Sequence, residues 1–149
     1  MLIEKDAVQE DYPVLAELWQ RSVAATHDFI PNEVLAEIRP ELPRYFSQVS
    51  LKLWYDREEL IGFSGTADGR LEMLFLDPEV RNRGLGSQII QRLKEEDSIR
   101  QVSVNEANTA ARYFYEKNGF AVKARTEEDE AGRPYPLLHM ELKKERKND

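Results

Sequence analysis

Leu76-Asp77-Pro78-Glu79-Val80-Arg81-Asn82-Arg83-Gly84-Leu85-Gly86-Ser87 joins an apolar, strand-like run to a helical pattern that begins at Gly84. Two glycines in close succession let the backbone turn tightly and approach a ligand without side-chain obstruction. The first N–H groups of the following helix have no intrahelical partner and carry the positive end of its dipole. Arg81 and Arg83 add fixed cations. Phosphate or pyrophosphate is the natural ligand of such a strand-to-helix turn. Two familiar nucleotide loops do not fit. The dinucleotide fingerprint needs a third glycine where Ile89 stands, and the nucleoside-triphosphate loop needs Gly-Lys-Ser/Thr.

Upstream of this stretch the hydrophobic period is two. Leu51–Tyr55, Leu60–Gly65 and Leu71–Leu76 alternate like strands, separated by Asp56-Arg57 and by Asp68-Gly69, a strong hairpin signal. Three antiparallel strands in sequence are expected. Further upstream, Val14, Leu15, Leu18, Trp19 and Val23 recur at helical spacing from Asp11 to about Ala25, and Leu2-Ile3 leads in as an edge strand. Pro31 to Leu35 starts a second short helix that should end near Pro40, leaving His27–Pro43 as a loop with helical pieces. Downstream, Gly84 to Glu96 and Thr109 to Asn118 read as helices, the latter stopped by Gly119. Ile99–Val104, Phe120–Arg125 and Leu137–Leu142 read as strands, with an acidic turn at Glu127–Gly132 and a solvated tail from Lys143. The expected fold class is α/β (α+β), a mixed central sheet of about six to seven strands flanked by helices. No repeat or low-complexity linker breaks the chain, so residues 1–149 are read as one domain.

Composition narrows the chemistry. The 149 residues contain no cysteine and only two histidines, His27 and His139, so thiolate chemistry is excluded and no metal site is expected. The N-terminus has no basic stretch leading into an apolar one, and no window approaches a membrane span, so a cytoplasmic protein with no membrane partner is expected. A net charge of −7 argues against nucleic-acid binding. An anionic ligand must therefore be held by a local site.

The segment Arg81-Asn82-Arg83-Gly84-Leu85-Gly86 resembles the pyrophosphate loop of the GNAT superfamily of acyl-CoA-dependent N-acetyltransferases, Arg/Gln-x-x-Gly-x-Gly/Ala. Asn82 departs from the glycine that many members carry there. A second element follows in order: the stretch from Asn105 to Phe120 is similar to the family's Asn-x-x-Ala-x-x-Phe-Tyr-x-x-x-Gly-Phe. The resemblance covers nearly the whole chain and implies the GNAT fold, acetyl-CoA as cofactor and an amine acceptor, small molecule or peptide, for a monomer or homodimer. It implies cofactor contacts at Leu74, Phe75, Leu76, Arg81, Asn82, Arg83, Gly84, Leu85, Gly86, Ser87, Asn108 and Tyr115. The peptide groups of Leu74–Leu76 are implied for the pantetheine arm, where that strand splays from Val102–Val104. Asn108 also suits a helix N-cap. A non-catalytic acyl-CoA-binding or sensing module is the alternative, and a phosphate-binding regulatory domain a third.

Acetyl transfer needs a free amine, a polarised thioester carbonyl and a proton for the departing thiolate. An alkylamine with pKa ~10.4 costs about 4.6 kcal/mol to deprotonate at neutral pH, so a general base or a water relay to one is required. Glu72, on the strand leading to the loop and between apolar Leu71 and Met73, is the first candidate, with the reading of a solvent-facing glutamate beside it. Asp28 and His27 come next. By resemblance Tyr115 is the general acid, since a phenol stays protonated at neutral pH; an aromatic that only packs is the alternative. Phe114 is expected to face the core. Trp19, with Arg21, and His27, Asp28 and Phe29 are candidates to wall an acceptor pocket, closed by Tyr135 in Gly132-Arg133-Pro134-Tyr135-Pro136. These segments resemble a bacterial GNAT subgroup of uncharacterised acetyltransferases.

Overall fold

The computed structural model describes residues 2–26, 30–80 and 84–143. The chain resolves into two compact units, Met1–Ile99 and Arg100–Asp149. In the first unit, strands β1 (Leu2–Asp6), β2 (Ser50–Asp56), β3 (Glu59–Ala67) and β4 (Arg70–Leu76) pair antiparallel in chain order. The three-strand meander expected from period-two alternation is present, and Leu2-Ile3 does form its edge strand. Both hairpins turn through left-handed residues: Arg57 and Glu58 (φ 53° and 70°) in one, Asp68 and Gly69 (φ 51° and 79°) in the other. Such turns match the right-handed twist of the strands. The first turn lies one residue later than Asp56-Arg57 suggests and contains no glycine.

Helix α1 (Tyr12–Thr26) starts where Asp11 predicts, and the Asp11 carboxylate accepts the Val8 N–H at 2.8 Å. Its apolar stripe, Leu15, Leu18, Trp19 and Val23, packs on Leu51, Leu53 and Phe63 of the sheet. Each such side chain removed from water contributes about 1.5–3 kcal/mol. The region after α1 carries more helix than the sequence reading allowed. Helix α2 (Asn32–Ile38) runs into a 3-10 turn at Arg39–Glu41 and then helix α3 (Leu42–Phe46). Pro40 and Pro43 start these pieces instead of ending one, because a first-turn position needs no N–H donor. Phe46 from α3 meets Phe63 edge to face at 5.6 Å.

Helix α4 (Leu85–Glu96) buries Leu85, Ile89, Ile90 and Leu93. It belongs to the opposite face of the sheet, where Arg92 lies over the Trp54 ring at 5.6 Å and Trp54 donates to Ser64 Oγ at 2.8 Å. Below them Lys52 Nζ meets Glu4 and Asp97 at 2.8 Å and Glu96 at 3.3 Å, and Thr66 donates to Asp97 at 2.7 Å. Burial works against the Lys52 charge, but the hydrogen bonds to Asp97 and Glu4 outweigh it and hold the ammonium protonated well above its usual range. For Glu4 burial again opposes the charged form, and its bonds with Glu96 and Lys52 bring its carboxyl below the usual value.

In the second unit, strand β5 (Gln101–Asn105) pairs antiparallel with β7 (Leu137–Leu142), which pairs antiparallel with β6 (Phe120–Thr126). Helix α5 (Thr109–Lys117) packs against β6, where Tyr115 meets Phe120 edge to face at 5.9 Å. The strand expected from Ile99 starts two residues later. The tail expected from Lys143 continues, after that residue, outside the described residues.

Candidate active site

The strand-to-helix turn of the first unit is anchored before its glycines. Asp77 directly follows β4, and its N–H donates to the Ile61 carbonyl at 2.8 Å. Its carboxylate accepts the Glu79 N–H at 3.0 Å and Arg21 Nη2, from α1, at 3.0 Å, while its carbonyl accepts the Val80 N–H at 3.0 Å. Asp77 thus fastens the turn to β3 and to α1 at once. Arg81, Asn82 and Arg83 lie outside the described residues. Gly84 is the N-cap of α4, in the left-handed region at φ 74°, and makes no side-chain cap. Among the described residues, nothing lies within 4 Å of a Cβ built on it. The N-terminus of this twelve-residue helix, clear of the other described residues at Gly84, suits an oxyanion, for which the first-turn amides of Leu85, Gly86 and Ser87 are the available donors.

Strand β4 reaches this turn through a tight pairing. Gly62 stands directly opposite Leu76, and a Cβ there would lie 2.6 Å from both Leu76 Cδ2 and the Phe75 carbonyl oxygen. Met73 and Phe75 pack toward the α1 cluster, so alternation turns Leu74 and Leu76 to the other face. Glu72 occupies a β-bulge: Gly65 pairs with Met73 and Thr66 with Leu71, which leaves Glu72 as the extra residue. Bulges re-aim side chains. Its side chain is about one quarter exposed (24%) and its Oε1 meets Arg70 Nε at 3.1 Å. Glu72 is therefore neither a plain solvent-facing glutamate nor a sealed one.

Between α1 and α2 the same unit carries a groove of about 590 Å³, lined among others by Tyr12, Trp19, Gln20, Leu35 and Arg39. Trp19 is only 5% exposed and belongs mainly to the core, contributing the groove's floor. His27, Asp28 and Phe29 lie outside the described residues.

In the second unit, Asn108 caps α5, accepting the Ala111 N–H at 3.1 Å. Tyr115 is buried, 7% exposed, and burial pushes its phenol up, so the hydroxyl stays protonated. Phe114, expected to face the core, is only half-buried; on this helix Tyr115 takes the deeper place. The segment around Tyr135 is ordered by Asp129, whose Oδ1 accepts the N–H groups of Ala131 and Arg133 at 3.0 and 2.8 Å. Pro136 accepts the Glu106 N–H at 2.9 Å, docking half-buried Tyr135's segment on the loop that leads to Asn108. Arg125 reinforces the join with two bonds to Glu106 (2.5 and 3.0 Å) and one to Glu127 (2.6 Å). Its guanidinium holds the Glu106 carboxyl below its usual value.

A family model described as an acetyltransferase (GNAT) domain matches residues 50–122. The peptidyl-lysine N-acetyltransferase YjaB of Salmonella typhimurium is 37% identical over 134 residues, 88% of this chain and 91% of that protein. The chain belongs to the GNAT acetyltransferases. With the family come the acyltransferase class, an amine acceptor and the acetyl-CoA donor that the loop motif implied. YiaC of Escherichia coli, also named a peptidyl-lysine N-acetyltransferase, is 26% identical over 87% of this chain and 90% of its own. The solution structure of apo YjaB from E. coli superposes with a TM-score of 0.82 at 34% identity, over 95% of this chain and 97% of that one. A PaiA N-acetyltransferase from Thermoplasma acidophilum, solved in complex with coenzyme A, shares the fold with a TM-score of 0.69 at 20% identity, over 95% of this chain and 99% of that one. The expected GNAT-like fold thus holds across almost the whole chain. None of its described helices is long and apolar enough to cross a membrane.

Asp77 as an anchor and Gly62 as the residue that seats Leu76 were missed in the sequence reading. The available signal for Asp77 was its place before Pro78 at the end of an apolar strand; Gly62 inside a strand run is the usual mark of close backbone approach.

Proposed function

We propose that this GNAT enzyme acetylates lysine side chains in peptides or proteins. The observation that carries this reading is the end-to-end similarity to YjaB, a peptidyl-lysine N-acetyltransferase, at 37% identity. A net charge of −7 favours a cationic acceptor such as a lysine-bearing peptide. Bound acetyl-CoA supplies the acetyl group as a thioester, whose carbonyl is open to attack by an amine.

In this proposal residues 81–87 hold the pyrophosphate, Arg81 and Arg83 by charge and the start of α4 by its amides. The peptide groups of Leu74, Phe75 and Leu76 receive the pantetheine arm, and Asn108 holds the cofactor while capping α5. Trp19, His27, Asp28, Phe29 and Tyr135 flank the acceptor. Glu72, re-aimed by its bulge, takes the acceptor's proton as general base, directly or through a water relay. Tyr115 supplies the proton to the departing thiolate. A phenol at pKa ~10 gives its proton to a thiolate of pKa ~8.5 uphill by about 2 kcal/mol, and burial adds to this, so the proton moves only as charge builds on sulfur. The setting is cytoplasmic, as a monomer or homodimer.

The test is turnover of acetyl-CoA with a peptide containing one lysine, followed by thiol release and by the mass of the peptide. Transfer to that peptide, and none to its counterpart with the lysine blocked, supports the reading. Tight acetyl-CoA binding without transfer to any amine would replace it with a sensing module.

A further inference from the structure

The strand-to-helix turn of the first unit carries a charge that works against its proposed ligand. Asp77 stands at the root of the turn, which uses that residue for its shape. Oδ1 accepts the Glu79 N–H at 3.0 Å, and the Asp77 carbonyl accepts the Val80 N–H at 3.0 Å to close the 3-10 turn at Pro78–Val80. A short side-chain acceptor for the N–H two residues on is what this shape requires, and asparagine meets the requirement as well as aspartate does. The turn therefore leaves the second oxygen, and the negative charge, to some other use. That charge is sheltered: the Asp77 side chain is 17% exposed, whereas Glu79 lies in solvent. A sheltered carboxylate is weakly screened and opposes an anion bound further along the same turn.

Arg21 meets this oxygen. From α1, which packs against β4 and the 3-10 turn, its Nη2 donates to Asp77 Oδ2 at 3.0 Å. Other contacts already hold the turn: the Asp77 N–H donates to the Ile61 carbonyl at 2.8 Å, and Val80 is buried. The Arg21 side chain is 54% exposed, where an ion pair contributes little to stability. What the pair adds is a cation fixed beside the sheltered carboxylate.

We propose that Arg21 is a positioning residue for the donor side of the reaction: it neutralises Asp77, so that the turn keeps the shape aspartate gives it without repelling the pyrophosphate of acetyl-CoA. The inference rests on the assignment of residues 81–87 to that pyrophosphate. It moves Arg21 away from the acceptor wall, where the sequence alone groups it with Trp19. The two ends of one ion pair should then act in opposite directions. An anchor is lost equally from either end, whereas a charge balance tips toward repulsion when the cation is removed and toward attraction when the carboxylate is.

The test is the dissociation constant of acetyl-CoA, measured by calorimetry on the full chain for the wild type, Arg21→Gln, Arg21→Lys, Asp77→Asn and the double variant Arg21→Gln with Asp77→Asn. Arg21→Gln leaves the Asp77 charge uncompensated and should weaken acetyl-CoA about tenfold at low salt, with the deficit narrowing as salt is raised. Arg21→Lys keeps the cation and should recover most of that loss. Asp77→Asn keeps the acceptor for the Glu79 N–H and leaves the Arg21 charge beside the turn, so its affinity should equal or exceed that of the wild type. The double variant should bind as the wild type does. Equal weakening by Arg21→Gln and Asp77→Asn would make the pair an anchor and overturn the proposal, as would wild-type affinity in Arg21→Gln. Should Arg21→Gln fail to fold, Asp77→Asn decides alone, and affinity below that of the wild type overturns the proposal. Absence of acetyl-CoA binding by the wild type would instead refute the assignment of the turn to the cofactor.

Discussion

Replacing Gly84 separates two costs that a glycine loop normally confounds. At φ 74° an alanine sits in the left-handed region, which costs an L-residue about 1–2 kcal/mol, partly offset by about 0.4–1 kcal/mol from a stiffer unfolded chain. The described residues add no steric cost to this, since none of them lies within 4 Å of the new Cβ. Gly84→Ala should thus lower stability by about 1 kcal/mol, or roughly 2–4 °C in Tm for a chain of this size. Gly84→Asn should fare better, because asparagine enters that region more readily. Binding should respond differently. At a concentration of 100 Kd, acetyl-CoA stabilises the wild type by about 2.7 kcal/mol, and a tenfold weaker Kd at the same concentration leaves about 1.4 kcal/mol. The added Cβ occupies the space proposed for the pyrophosphate, so both variants should show half the wild-type thermal shift or less, although only one is markedly destabilised. Scanning fluorimetry with and without acetyl-CoA reads both quantities. A full wild-type shift in both variants would refute the placement of the anion at the start of α4.

Tyr115→Phe should lower kcat by about 10²-fold with little change in acetyl-CoA affinity by calorimetry; near wild-type turnover would remove the hydroxyl from the reaction. Glu72→Gln keeps the bulge and loses the base, so it should depress turnover most at low pH, where the amine is charged, and recover in part as pH rises and free amine becomes abundant; an equal loss at every pH would reassign Glu72 to substrate positioning. Lys52→Met removes the cation that Asp97 and Glu4 share, leaving Glu4 only Arg92 at 3.8 Å, and should cost about 2 kcal/mol or more, below the ~3–5 kcal/mol of a fully buried pair because the site is partly open to water. Lys52 is raised on folding and Glu4 lowered. The stabilisation from Lys52 is therefore intact below its unfolded pKa near ~10.4 and lost as pH climbs through its folded value, while that from Glu4 is intact above its unfolded pKa near ~4.3 and lost as pH falls through its folded value. Denaturant midpoints across pH should show a plateau between these limits in the wild type, reduced in Lys52→Met.

Much of this fold was legible because its signals are local. Period-two alternation in residues 51–76, the Asp68-Gly69 turn, the stripe of Leu85, Ile89, Ile90 and Leu93, and Gly119 after α5 each determine an element without reference to the rest of the chain. The helix α3 was missed because Pro40 and Pro43 read equally as stops or as first-turn residues, and only the burial of Leu42 and Phe46 decides between them. The bulge at Glu72 depends on cross-strand register, which alternation alone does not reveal. The same holds for Arg21 and Asp77: each sits in or beside a readable element, but their meeting depends on how α1 packs against β4. Family motifs supplied Tyr115 and Asn108, and Asn108 as a helix cap was readable from its residue type.

Both tryptophans of the chain, Trp19 and Trp54, belong to the first unit, and Trp54 is sealed from water beneath Arg92. Tryptophan emission is therefore a reporter placed wholly within residues 1–99. Circular dichroism, by contrast, sums over both units. If emission and dichroism lose their signals at one denaturant concentration, the two units melt as one cooperative body; a gap between the curves would make the second unit, which holds Tyr115, an element that unfolds on its own schedule.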